Sequence, residues 1–139
     1  MKGLLYMAEI LFRDKRHEEL FYSLIKKMKR KDCYHGSAAY LLCLDEAIRE
    51  HVNRVFDFDE DMIKPDCIFE PWQTGTSKKT TRLLFNLWNG RNTDGATYED
   101  TDGYEQDLPS KYYTPDEIFS CNYAPYYVQA MKLRFPEYF

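Results

Sequence analysis

Apolar residues recur at helical spacing along most of the chain, most sharply in Trp72–Gly90, which holds both tryptophans. There Thr80, Leu83, Leu84, Leu87 and Trp88 fall at i, i+3, i+4, i+7 and i+8, one apolar face of a helix. Thr76 or Ser77 offers a capping oxygen at its start, and Gly90 stands where a left-handed residue closes a helix. Phe85 lies off that face, which predicts cover on more than one side and makes this the central core helix.

Taken in order, residues 4–12 are apolar enough for a short strand or for an N-terminal extension of the first helix. Asp14 caps a helix whose core face is Leu20, Phe21, Leu24, Ile25 and Met28, and whose end carries Lys26, Lys27, Lys29, Arg30 and Lys31. Asp32 opens a second helix, with Tyr34, Ala38, Leu41, Leu42 and Cys43 on its apolar side. Asp45 opens a third, through Phe56, with Ile48, Val52, Val55 and Phe56 inward. The short links predict roughly antiparallel neighbours.

The texture then changes. Phe56, Asp57, Phe58 and Asp59 alternate aromatic and acid, and Ile63-Lys64-Pro65 reads as extended chain. This predicts an ordered connection with room for a small β pairing. Residues 91–112, polar and acidic, read as the longest exposed loop. Thr114-Pro115-Asp116-Glu117 starts a short helix with a capping box, through about Cys121. Pro125 starts the last helix, which packs Tyr127, Val128, Met131 and Leu133–Phe135 and stops at Pro136. The fold class is all-α or mainly α: one compact domain over residues 1–139, with five or six helices.

Composition sharpens this. The chain of 139 residues with twelve Tyr and nine Phe is too aromatic for a disordered one. No apolar run approaches the ~18 residues a membrane span needs. Glu9 interrupts the short apolar start and no small-residue cleavage site follows, which reads against a signal peptide. Cys33, Cys43, Cys67 and Cys121 show no paired spacing and read as reduced thiols of a cytoplasmic protein. Charge is uneven: residues 1–54 carry 11 Lys/Arg against 8 Asp/Glu, and residues 55–108 carry 5 against 12. The second segment attracts a basic surface and repels a polyanion.

The search for chemistry is mostly exclusion. The helix start Thr76, Ser77, Lys78 and Lys79 is an anion-binding alternative, yet it lacks the second glycine and the preceding strand of a phosphate loop. The same stretch lacks a nucleophile elbow. His17, His35 and His51 have no i, i+4 pairing, and Cys33-x-His35 alone is weak as a metal pair. Asp100 and Asp102 resemble part of a calcium loop, but Tyr98 and Pro109 occupy its first and twelfth positions. Neither a metal nor a cofactor is expected.

Five blocks carry a resemblance: Phe56-Asp57-Phe58, Ile63-Lys64-Pro65, Trp72 through Ser77, Phe85 through Gly90, and Leu133 through Tyr138. Together they resemble a family of short proteins of unknown function from Gram-positive bacteria, often among phage and mobile-element genes. The resemblance runs from about Arg13 to the C-terminus. It implies context and supplies no activity or site residue.

The resulting expectation is a non-enzymatic binding protein that occupies a host or defence protein, in the manner of an anti-CRISPR inhibitor. Its partner-binding residues are Asp57, Asp59, Glu60, Asp61, Asp100 and Asp102, with Phe56 and Phe58 turned inward. An acidic face docks where a nucleic-acid-binding protein expects phosphate. The alternative is a nucleic-acid or nucleotide binder using Thr74–Lys79, with Lys26–Lys31 as a second basic cluster.

Overall fold

Asp14, Asp32 and Asp45 each lend a carboxylate oxygen to a first-turn N–H, at 2.7 Å to His17, 3.0 Å to His35 and 3.1 Å to Ile48. They cap helices α1 (Lys15–Lys27), α2 (Cys33–Leu42) and α3 (Glu46–Arg49), as their side-chain chemistry predicts. This computed structural model describes residues 9–95, 97–99, 102, 105–107 and 110–139. Of the segment 4–12, residues 9–12 form neither helix nor strand, and residues 4–8 lie outside the described residues.

The third expected helix is divided. In an unbroken helix the Ala47 carbonyl would accept from the His51 N–H; instead His51 Nδ1 takes it at 2.8 Å and the backbone N–H turns to Ile48 O at 2.9 Å. The chain restarts as α4 (Val52–Val55). The small β pairing is present: β1 (Phe56–Asp57) runs antiparallel to β2 (Met62–Ile63), with Phe56 opposite Ile63. A 3₁₀ turn over Pro65–Phe69 leads on to α5 (Gly75–Asn89).

Helix α5 is capped by Thr74 rather than by Thr76 or Ser77. Thr74 Oγ1 accepts the Ser77 N–H at 2.9 Å, and Ser77 Oγ accepts the Thr74 N–H at 2.7 Å, a reciprocal capping box. Gly75 takes the first helical position, one turn-start earlier than the sequence reading allowed. At the other end Gly90 is left-handed as predicted, with φ 79° and ψ 10°.

Within residues 91–112 the structure adds an antiparallel pair, β3 (Thr97–Glu99) and β4 (Glu105–Asp107). Arg82 of α5 reaches Asp94 at 2.8 Å, and the Tyr113 hydroxyl donates to the same carboxylate at 2.9 Å. A 3₁₀ turn over Ser110–Tyr113 precedes α6 (Pro115–Ile118), shorter than expected. The capping box predicted there does not form, because Thr114 Oγ1 donates backwards to Lys111 O at 2.8 Å. Helix α7 (Ala124–Arg134) follows, and Pro136 converts the chain to a last 3₁₀ turn. The protein is mainly α, with seven α-helices among the described residues and strands confined to two short pairs.

The central helix is α2, not α5. Every residue from His35 to Leu42 is buried, and α2 packs against α1, α5 and α7. Its Gly36-Ser37-Ala38-Ala39 run keeps the side chains short, so neighbouring helices approach closely. Tyr34, expected on the apolar side, is 42% exposed instead. Helix α5 is covered on two sides, with Leu84 and Phe85 nearly inaccessible, while Trp88 is half-buried against Phe56 and His35. Two arginines complete the far end of α2: Arg49 Nε donates to Cys43 O at 2.6 Å and Arg13 Nη1 to Leu44 O at 2.7 Å.

Phe85→Ala is expected to cost about 3–5 kcal/mol, as a buried aromatic that leaves a cavity. Trp88→Ala will cost less, because part of its ring is already solvated; thermal melts rank the two, and an inverted order would show the wrong side of α5 facing the core. Gly90→Val will lower the melting temperature more than Gly90→Asn, since a β-branched residue is strained at φ 79° where asparagine is tolerated.

Candidate functional site

The acidic segment folds as a built turn rather than as alternating extended chain. Only Phe56 and Asp57 are strand; residues 59–61 turn the chain back to Met62. Asp57 Oδ1 accepts the N–H groups of Asp59 at 3.0 Å and Glu60 at 2.9 Å, an Asx-type closure. Phe56 is buried and Phe58 half-buried against it, ring centroids 5.1 Å apart. Lys27 of α1 lies over the Phe58 ring at 5.3 Å, and Lys29 donates to the Asp59 carbonyl. The expected inward aromatics are therefore inward.

Asp61 closes the turn. Its φ of 58° is left-handed, unusual for a residue with a side chain. Its carboxylate reaches His35 Nε2 at 2.8 and 3.0 Å. On the other side of the same ring, Asp32 Oδ1 lies 2.7 Å from Nδ1 while also capping α2. Each ring nitrogen faces a carboxylate, an acceptor only, and the imidazolium is the form that fills both bonds. Burial acts to raise the Asp32 carboxyl, but the hydrogen bonds from His35 outweigh it and hold the group below its usual range. Trp88 meets the buried ring edge-on at 4.9 Å.

The four acids thus separate into two pairs. Asp57 and Asp61 build the turn, whereas Asp59 and Glu60 are exposed and neither has an ion-pair partner among the described residues. Asp102 is exposed between β3 and β4. Asp100 lies outside the described residues.

Two of the four residues of the anion-binding alternative, Ser77 and Lys79, are engaged elsewhere. Ser77 is fully buried, its hydroxyl donating to Gln73 Oε1 at 2.5 Å. Thr76 supplies its carbonyl to Thr80 Oγ1 at 3.3 Å. Lys79 Nζ donates to the Glu117 carbonyl and, at 3.2 Å, to Ser120 Oγ. Lys78 is half-buried on the same turn, with no ion pair among the described residues.

Other reactive groups are held by the fold. Burial pushes the Cys43 and Cys67 thiols up to about 12. His35 spends both nitrogens on carboxylates, and no group of three His, Cys, Asp or Glu among the described residues is arranged to hold a metal ion. His17 is fully buried: its Nδ1 accepts the Arg13 N–H at 3.1 Å and its Nε2 donates to Tyr40 O at 2.9 Å. A proton on Nδ1 would set N–H against N–H. Burial is the main cause that lowers the His17 pKa to about 4, with the Tyr40 carbonyl opposing it.

Sequence reasoning missed the bond between Asp61 and His35. The i, i+3 spacing of Asp32 and His35 signals one half of the clamp, but Asp61 is 26 residues away and only the hairpin brings it there. It also missed Gln129, a polar residue on a buried helix face, 6% exposed.

The fold and this turn define a small helical protein that presents two carboxylates on a braced hairpin, with no helix among the described residues long and apolar enough to cross a membrane. It belongs to a family of unknown function (DUF6075), whose model matches residues 7–139. No curated protein and no solved structure matches the chain.

Two outcomes follow from the buried histidines. Asp61→Ala is expected to lower stability by about 1–3 kcal/mol, since it leaves a buried donor without an acceptor, and Asp61→Asn by less; equal melts for all three proteins would show the clamp to be idle. His17 is neutral when folded but takes a proton near pH 6.5 once unfolded. Its contribution is therefore complete above pH 6.5 and is lost as the pH falls towards 4, roughly 3 kcal/mol in total. Denaturant melts across that window check the slope, which His17→Gln should flatten.

Proposed function

We propose that this protein acts by binding a basic surface on another protein rather than by transforming a substrate. The observation that carries this is the division of labour in the acidic turn: Asp57 and Asp61 are spent on holding its shape, which leaves Asp59 and Glu60 fixed and outward. A turn whose backbone is ordered before encounter loses little backbone freedom on binding, which favours affinity. Lys27, Lys29 and Lys64 stand close by and offset part of the turn's charge, while the wider acidic segment 55–108 supplies the longer-range attraction.

A partner that normally meets phosphate has the right surface. We propose a phage- or mobile-element-encoded, intracellular antagonist of a nucleic-acid-binding or defence protein, of which a CRISPR effector is one example. The helix start at Thr74–Lys79 supports direct nucleic-acid binding less well, because Ser77 and Lys79 are engaged inside the fold.

The test is the double variant Asp59→Lys, Glu60→Lys, used with the wild type to capture partners from the native host at two salt concentrations. The variant is expected to melt within about two degrees of wild type, since exposed charges contribute little to stability. It is also expected to lose the captured partner, and the wild-type complex to weaken as salt rises. Retention of the same partner with the same salt tolerance would move the surface elsewhere. Turnover of a substrate by the purified chain would remove the reading.

A further inference from the structure

A groove of about 550 Å³ lies beside residues 9–12 and the first half of α1. Its walls are Ile10, Leu11, Phe12 and Tyr22, and Leu11 and Tyr22 are about half exposed, at 49% and 50%. Two large apolar side chains left to water in one concavity mark a place where something packs. Glu9 and Glu18 also line the groove, both exposed, and neither has an ion-pair partner among the described residues. At its inner side Gln129 accepts the Leu11 N–H on Oε1 at 2.9 Å, which fixes the amide's orientation. Its Nε2 has no hydrogen-bond acceptor among the described residues, although the residue is only 6% exposed. A buried donor without a partner is unfavourable and rare.

We propose that this groove receives a short segment of a partner protein that carries apolar and basic side chains together. The apolar side chains would cover Leu11 and Tyr22, and a lysine or arginine would meet Glu9 and Glu18. Anionic occupants are repelled by the two glutamates, and a purely apolar one leaves both carboxylates unanswered. The inference rests on the reading of a basic protein partner and adds a second contact to it. Glu18 and Lys27 are nine residues apart on α1, so groove and acidic turn lie about 14 Å apart along one helix.

The experiment titrates the ¹⁵N-labelled full chain with a blocked hexapeptide of alternating leucine and arginine, and with its leucine–glutamate counterpart. The arginine peptide is expected to shift the Gln129 side-chain amide and the Leu11 backbone resonance, with the glutamate peptide at least about tenfold weaker. Glu18→Gln and Tyr22→Ser are each expected to weaken the arginine peptide severalfold; the melting temperature is retained for Glu18→Gln and falls for Tyr22→Ser, whose ring packs on Phe12 and Phe21. Asp59→Lys, Glu60→Lys is expected to leave peptide binding in the groove unchanged. Equal binding of the two peptides, shifts confined to residues 57–61, or binding that appears only once residues 1–8 are removed would each overturn the proposal. If the groove stays silent while the turn variant still abolishes partner capture, the groove is refuted and the acidic-turn reading stands.

Discussion

A helix enclosed on every side has to dispose of its ends without water, and that requirement shapes this protein. Helix α2 is buried from His35 to Leu42, so its orphan N–H and carbonyl groups need partners from the chain. Asp32 serves the N-terminal end, His17 takes the Tyr40 carbonyl in the last turn, and Arg49 and Arg13 take the carbonyls of Cys43 and Leu44 just past it. Asp14 then links back to Arg49 at 2.9 Å, while capping α1. The polar residues nearest the core are thus tied together by one demand, which explains why Arg13, Asp14 and Arg49 converge on the end of a helix that has no Asp, Glu, Lys or Arg along its buried length.

The elements were largely readable because helix starts depend on local chemistry. Asp14, Asp32, Asp45 and Gly90 announce themselves by side chain or by its absence, with no need of tertiary information. The choice of central helix was not readable. Helix α5 shows one clean apolar face, whereas α2 shows no periodicity because all its sides are inside, and a uniform run of small and apolar residues looks unremarkable in sequence. The split at His51 was hidden for a similar reason: an imidazole competing for the Ala47 carbonyl leaves no compositional trace.

The candidate site shows the same boundary. That Phe56 and Phe58 face inward follows from the need to bury aromatics. That two of four neighbouring acids are structural does not, since Asp57 and Asp59 are chemically alike and only the turn's backbone tells them apart. Three blocks that carry the family resemblance meet here: Phe56-Asp57-Phe58, the Phe85–Gly90 block through Trp88, and Ile63 on the return strand.

Asp61 gives the turn one more property. Its left-handed backbone is retained while its carboxylate holds His35, and His35 belongs to the core helix. The hairpin therefore has little freedom to open on its own; loosening it uncovers the start of α2 and draws on the stability of the whole domain. Display of Asp59 and Glu60 is thereby coupled to the core helix. Under the proposed function, a partner that reads this surface would also select for folded copies.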